Sequence, residues 1–337
     1  MQITYRIAKY LKVVLAVLLL AACTPIGEPA TPTPAPVLVR VGVLPFMSNA
    51  ILKIADAEGF FVEQGLTVEL VPFRSSNDFV PLLLQGELDV AAPALTAGFF
   101  NAIARGGNVK IALPLTAFTP QDCPVVVVLA RKSDVEAGKY ASPAQWKGAT
   151  IGISLAGAQG LPGYVVDLFL RQAGLTAQDV TLTALDPAVQ GEALRSQQVD
   201  LLYAAEPWIT RLLAGDDVVV LSRAEDVAPD LTSSFMVYGP SLLAEPEVGR
   251  RFATAYLNAV RQYHEGKTPR NVELVAEYAG LETELVQQVC WSDIPLDGAV
   301  NVDSIMLYQE WLHDLGLLDR LLSADEFLAT GFVEVPE

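Results

Sequence analysis

Histidine is nearly absent from the 337 residues: there are two, His264 and His313, and three cysteines, Cys23, Cys123 and Cys290. That is too few, and too widely spaced, for a zinc site built from Cys and His. His264 lies in the polar tail of a helical pattern and His313 in the last helix, so nucleophile-plus-base catalysis has no placed base. Positive charge is also scarce. Against 39 Asp+Glu there are 22 Lys+Arg, a formal charge of −17. Nucleic acid is excluded as a partner, because its phosphates are bound by Lys and Arg releasing counterions, and anionic lipid would not hold such a chain by charge alone. Neither GxSxG nor a Walker A sequence occurs, and Gly157 and Gly160 by themselves do not make the three-glycine dinucleotide loop. No cofactor and no metal are expected.

What is present begins with a basic stretch, Arg6, Lys9 and Lys12, followed by the apolar run Val13 to Ala22. A bilayer-spanning helix needs ~20 such residues, so the run reads as the core of a signal peptide over residues 1–22. Leu20-Ala21-Ala22-Cys23 is similar to a bacterial lipobox, in which the Cys thiol is acylated; an ordinary signal peptide with an incidental Cys is the alternative. Residues 23–36 carry Pro25, Pro29, Pro32, Pro34 and Pro36, which favour polyproline II and a stiff tether. Cys123 and Cys290 remain for a disulfide or for buried free thiols, and spacing does not choose between these.

From Val37 onward, short apolar runs alternate with helical periods, the pattern of an α/β protein with largely parallel strands. One phrase occurs twice. Gly65-Leu66-Thr67, a strand, a helix and Leu88-Asp89-Val90 are echoed by Gly174-Leu175-Thr176, a strand, a helix and Val199-Asp200-Leu201. Two similar βαβ lobes are implied, with ligand held outside the carboxyl ends of their strands, in a cleft between them. Val218–Leu221 and Ser234–Tyr238 read as strands returning to the first lobe. Ser48 or Asn49 is placed to cap the helix that follows the first strand. The chain beyond Pro246 reads as helical, with Trp291, Trp311, Leu312, Leu315, Leu317 and Leu318 packing on one lobe's exterior.

Three features stand at predicted carboxyl strand ends. The turn at Gly157 can offer backbone amides and a helix N-terminus to an anion, or it is simply a tight turn. Glu206-Pro207-Trp208 follows the strand Val199–Tyr203: Trp208 can wall an apolar part of a ligand, and Glu206 can either touch it or favour the helix start. Arg74 can pair with a carboxylate or sulfonate, or face solvent.

Several segments together resemble the extracytoplasmic solute-binding proteins of ABC importers for nitrate, sulfonates and taurine, a group that includes binders of thiamine-pyrimidine precursors. They are Val41-Gly42 through Ala55, Glu58 to Leu66, Leu84 to Asp89, Trp146-Lys147-Gly148, Ala173-Gly174-Leu175, Val199-Asp200, Glu206-Pro207-Trp208 and Gly298 to Ser304. The resemblance implies a two-lobed periplasmic-binding-protein fold of type II, each lobe a mixed, mostly parallel sheet flanked by helices. Lobe 1 would comprise residues 37–121 and 235–337, and lobe 2 residues 122–234 with the hinge strands. Carried over, ligand contacts fall on Phe46, Met47, Ser48 and Asn49, on Arg74 and Ser75, and on Pro93, Ala94 and Thr96. From the other lobe come Gly157, Gln159, Gly160 and Trp208. The implied function is capture of a small organic anion and delivery to an ABC permease and its ATPase, by a monomer outside the cytoplasm held to the cell membrane through lipid on Cys23. The first turn lacks the polar or aromatic residues that mark sulfonate or pyrimidine ligands in some relatives, so a pyrimidine or other small aromatic stays open. A two-lobed enzyme on the same scaffold is the rival reading; export and tethering favour the binding protein, which does no chemistry.

Overall fold

The computed structural model describes residues 35–94, 96–119 and 124–333; the expected signal peptide, Cys23, the proline tether and Cys123 lie outside them. The chain runs β1 (Val37–Val43), α1 (Ala50–Ala57), α2 (Phe60–Glu63), β2 (Leu66–Pro72), α3 (Phe79–Gln85), β3 (Val90–Ala91), α4 (Ala97–Ala104) and β4 (Lys110–Ala117). It continues with β5 (Val126–Arg131), α5 (Lys132–Glu136), β6 (Thr150–Ile153), α6 (Leu161–Gln172), β7 (Thr181–Ala184), α7 (Pro187–Arg195), β8 (Leu201–Ala205), α8 (Trp208–Leu213) and β9 (Val218–Arg223). The last part is β10 (Thr232–Tyr238), α9 (Pro240–Ala244), α10 (Pro246–Tyr263), α11 (Pro269–Ala279), α12 (Thr283–Gln288), α13 (Val302–Asp314) and α14 (Ala324–Phe327).

Two five-stranded sheets result, in the orders β2-β1-β3-β10-β4 and β7-β6-β8-β5-β9. The orders correspond position by position. In each sheet one strand, β10 or β5, pairs antiparallel with both its neighbours, while the β1–β2, β1–β3, β6–β7 and β6–β8 pairs are parallel. The antiparallel strand is the one that arrives from the other sheet. Hence β9 does not return to the first lobe as its sequence suggests. It pairs with β5, whose residues are all buried and whose second edge would otherwise leave backbone donors and acceptors unmatched.

The repeated phrase has a structural explanation. Asp89 accepts the Arg40 amide at 2.8 Å through Oδ2, and Asp200 accepts the Thr150 amide at 2.9 Å in the same way, tying the middle of β1 and the start of β6 to the residue just before the next parallel strand. The paired Gly65 and Gly174 both adopt left-handed φ, 65° and 70°, to leave a helix and begin a strand. The echo therefore encodes scaffold, and each copy aims its strand ends at the same place.

Two local expectations change. Helix α1 is entered through a 3₁₀ turn at Met47–Asn49, and neither Ser48 nor Asn49 caps it with its side chain, because Asn49 already has helical φ and ψ. Trp291 does stack in the first lobe, 4.8 Å from the Tyr263 ring. Trp311 does not sit on one lobe's exterior: α13 lies between α4 of the first lobe and α6 of the second. Its Tyr308 ring is 6.2 Å from Phe100 and 5.1 Å from Tyr164, and the Trp311 indole N–H donates to Asp167 at 2.9 Å. Apolar periodicity shows that a helix face is buried but not how many partners bury it.

Candidate functional site

A cavity of about 460 Å³ opens at the carboxyl ends of the strands of both sheets. Its wall takes the loop after β1, the loop after β2, and Ala94 and Thr96 after β3 from the first lobe. The second lobe supplies Ser154–Ala156 after β6, Asp186 after β7 and Ala205–Trp208 after β8. Local hydrogen bonds shape these loops. Ser75 Oγ accepts the Asn77 amide, Ser76 Oγ accepts the Ala94 amide and ties two loops together, and Thr96 Oγ1 caps α4 by accepting the Phe99 amide.

Of the residues expected from sequence, Phe46, Met47, Ser48, Arg74, Ser75, Ala94, Thr96, Glu206 and Trp208 line this cavity. Asn49, Pro93, Gly157, Gln159 and Gly160 are not on its wall. Asn49 is buried in the 3₁₀ turn, and the Pro93 carbonyl accepts the Phe235 amide within the sheet. Two amides of the glycine turn are already used: Gly157 N–H donates to Ser154 O and Gly160 N–H to Gly157 O, while Gly160 also forms a bridge with Thr96 of the other lobe. Those two amides are therefore not available to an anion.

Three groups that line the cavity escaped the sequence reading. Arg211 is one turn beyond Trp208, and its guanidinium carbon lies 4.9 Å from the centre of the indole ring; the i,i+3 spacing was a usable signal. Thr116 and Phe118 come from the end of β4 and Ser233 and Ser234 from β10, strands whose neighbours are distant in sequence, so no local signal pointed to them. Thr116 Oγ1 is buried without a hydrogen-bond partner. Tyr203 closes the wall from β8, and burial pushes its phenol up.

The charges of the wall are unequally committed. Asp186 accepts the Ala188 amide as a helix cap. Glu206, buried, accepts the Thr210 hydroxyl at 2.8 Å, the Thr210 amide at 3.1 Å and the Cys290 amide at 3.1 Å, so its carboxylate joins the second lobe to the segment after α12. Cys290 is itself disulfide-bonded. In contrast, Arg74 and Arg211 are exposed and have no carboxylate partner among the described residues. Among the described residues, the two cations on the wall are therefore not neutralised by a carboxylate, although the chain as a whole is acidic and Asp186 and Glu206 stand on the same wall. Neither histidine lines it: His264 Nε2 is 2.7 Å from Ile294 O, and among the described residues no cluster of His, Cys, Asp and Glu could hold a metal.

Burial pushes the Glu206 carboxyl up, against the lowering effect of its hydrogen bonds from Cys290 and Thr210. The native state thus holds this proton more tightly than the unfolded chain. The group's contribution to stability is greatest below the ordinary glutamate value of 4.5 and is lost as pH rises through the raised one. Glu206→Gln presents an NH₂ to donors that need an acceptor, and should cost about 1–3 kcal/mol. The gap between parent and variant in urea unfolding should be wider below about pH 4.5 than at about pH 8; an equal gap would contradict the assignment.

The family model of the NMT1-like family matches residues 32–280. A Brucella abortus (strain 2308) protein named as a binding protein is 25% identical over 256 residues, which are 73% of this chain and 74% of that one. Among solved structures, the periplasmic aliphatic sulphonate binding protein of Escherichia coli superposes with a TM-score of 0.69 at 18% identity, covering 87% of this chain and 97% of that one. The ligand binding component of an ABC-type import system from Staphylococcus aureus gives 0.69 at 16%, over 87% and 96%. The periplasmic nitrate-binding protein of Synechocystis PCC 6803 gives 0.67 at 13%, over 86% and 84%. At these identities the likeness is one of fold: two mixed sheets flanked by helices, as in the periplasmic binding proteins.

Proposed function

The chain belongs to the NMT1-like family, and on that premise we propose that it is the solute-binding component of an ABC importer, taking a small organic anion of sulfonate-like or nitrate-like charge. It hands the solute to a permease driven by an ATPase, and is held outside the cytoplasm by acylated Cys23 and the proline tether. The observation that carries this reading is the pair Arg74 and Arg211: two unpaired guanidiniums, one from each lobe, facing one cavity. A guanidinium presents its donors as a planar fork that fits an oxyanion, and a charged solute held from both sides favours the closed state. Phe46, Phe118 and Trp208 offer the apolar remainder of the solute a dry wall. Among the described residues the wall holds no histidine, cysteine or lysine, and its chemistry supports binding.

Native mass spectrometry of the exported protein identifies what co-purifies, and calorimetry with that compound then tests the wall. Trp208→Ala should weaken it by roughly ten- to a hundredfold, about 1–3 kcal/mol. A folded variant that binds like the parent would remove Trp208 from the site, and a co-purified cation would overturn the proposal.

A further inference from the structure

The acidic excess gives most of the described arginines a carboxylate within 4.0 Å, from Arg40 with Glu69 to Arg320 with Glu326. Arg74, Arg211, Arg251 and Arg261 have none, and they segregate in pairs. The first two face the cleft; the other two face a separate groove of about 430 Å³ in the first lobe. Arg250, Arg251, Thr254, Leu257 and Arg261 present one side of α10 to this groove, which Phe332 and Gln64 complete.

Within it, Arg251 donates from Nη1 to the Gln64 carbonyl at 2.9 Å, while its Nε is buried with no partner. Arg261 donates to Asn258 Oδ1 at 2.6 Å, and Arg250 pairs with Glu247 at 2.9 Å. Among the described residues, three guanidiniums against one carboxylate leave an excess of positive charge in a protein of the opposite sign. Burying an N–H without an acceptor is unfavourable, so an unmatched donor beside two further cations favours an oxyanion as a partner.

We propose that this groove is a second anion site, distinct from the cleft, that takes a phosphate group. Arginine forks meet a tetrahedral oxyanion with paired, charge-assisted hydrogen bonds, and the buried Leu257 and Phe332 side chains form an apolar floor for an attached organic part. The groove lies at the end of the first lobe away from the cleft. Val37 N–H, at the start of β1, donates to the Gly65 carbonyl, and Arg251 Nη1 is 3.2 Å from where a Gly65 Cβ would stand. That position suits the phosphodiester of a lipid headgroup as well as a soluble phosphate.

Calorimetry on the full chain with inorganic phosphate and, separately, with glycerophosphoglycerol, the deacylated headgroup of phosphatidylglycerol, distinguishes the sources. Binding of at least one with a Kd of about 1 mM or tighter is expected, weakened at least about tenfold in Arg251→Gln/Arg261→Gln. Tighter binding of the diester identifies the headgroup; tighter binding of inorganic phosphate identifies the soluble ion. Arg261 is exposed, so Arg261→Gln alone keeps the test open where the double variant does not fold. The proposal is overturned if neither compound binds by about 10 mM, if binding survives the arginine changes, or if Arg74→Ala abolishes it instead, which would put the phosphate in the cleft.

Discussion

Trp311→Ala is expected to lower unfolding stability by about 3–5 kcal/mol, the range for removing a large aromatic from a packed core. The indole is 6% exposed, stacked at 5.6 Å on Tyr308 and 5.3 Å from Tyr164, and its N–H donates to Asp167. Its deletion opens a cavity where α13 meets α6, and takes from the buried Asp167 carboxylate one of its two donors, leaving Arg171 at 2.6 Å. Trp311→Phe retains the stacking but not the N–H, and should cost about 1 kcal/mol more than volume alone predicts. Urea unfolding measures both. Because α13 touches both lobes, the alanine variant should also broaden the transition as the lobes lose their common support. A loss under about 1 kcal/mol would mean that α13 merely rests on the surface.

Removing both cleft arginines is expected to have the largest effect on binding. Arg74→Ala and Arg211→Ala should each weaken the co-purified anion about tenfold at low ionic strength, and the double variant by less than the roughly hundredfold loss that independent contacts would give. Both guanidiniums are exposed, so the effect should shrink as salt is raised, with a Debye length of about 10 Å at 0.1 M. The coupling between the two changes carries further information. If the arginines grip the same oxyanion from opposite lobes, their effects will not add, because loss of either leaves the other unable to hold the closed state. Arg211→Lys keeps the charge and loses the planar contact with Trp208, so it separates electrostatics from stacking. Affinity unchanged in the double variant would mean a neutral solute bound through hydroxyls such as Thr116, and the anion reading would fail.

Much of the cleft was legible because strand ends are. Phe46 to Ser48, Arg74, Ser75 and Trp208 reach the cavity wall since an apolar run followed by small or polar residues locates a carboxyl strand end, and in a parallel sheet those ends share one side. Gly157 to Gly160 were legible as a turn at the same level, but not the donation of the Gly157 and Gly160 amides to Ser154 and Gly157 within it. Glu206 was legible as a strand-end residue; that the amide of Cys290, 84 positions away, consumes its carboxylate was not. Arg211 shares a helix face with Trp208 and could have been found from that spacing alone.

The sequence by itself determined the α/β alternation, the duplicated lobes and the direction in which their strands point, because these depend on periods of two and of about three to four residues and on single residues such as Gly65, Gly174, Asp89 and Asp200. Only the tertiary structure decided which strand crosses to which sheet, that α13 joins the lobes, and which charges remain free. Ion pairs and cavity walls are made between residues far apart along the chain. Whether an arginine is neutralised by a neighbour or left facing a ligand depends on a few ångströms of distance in space that no local pattern encodes.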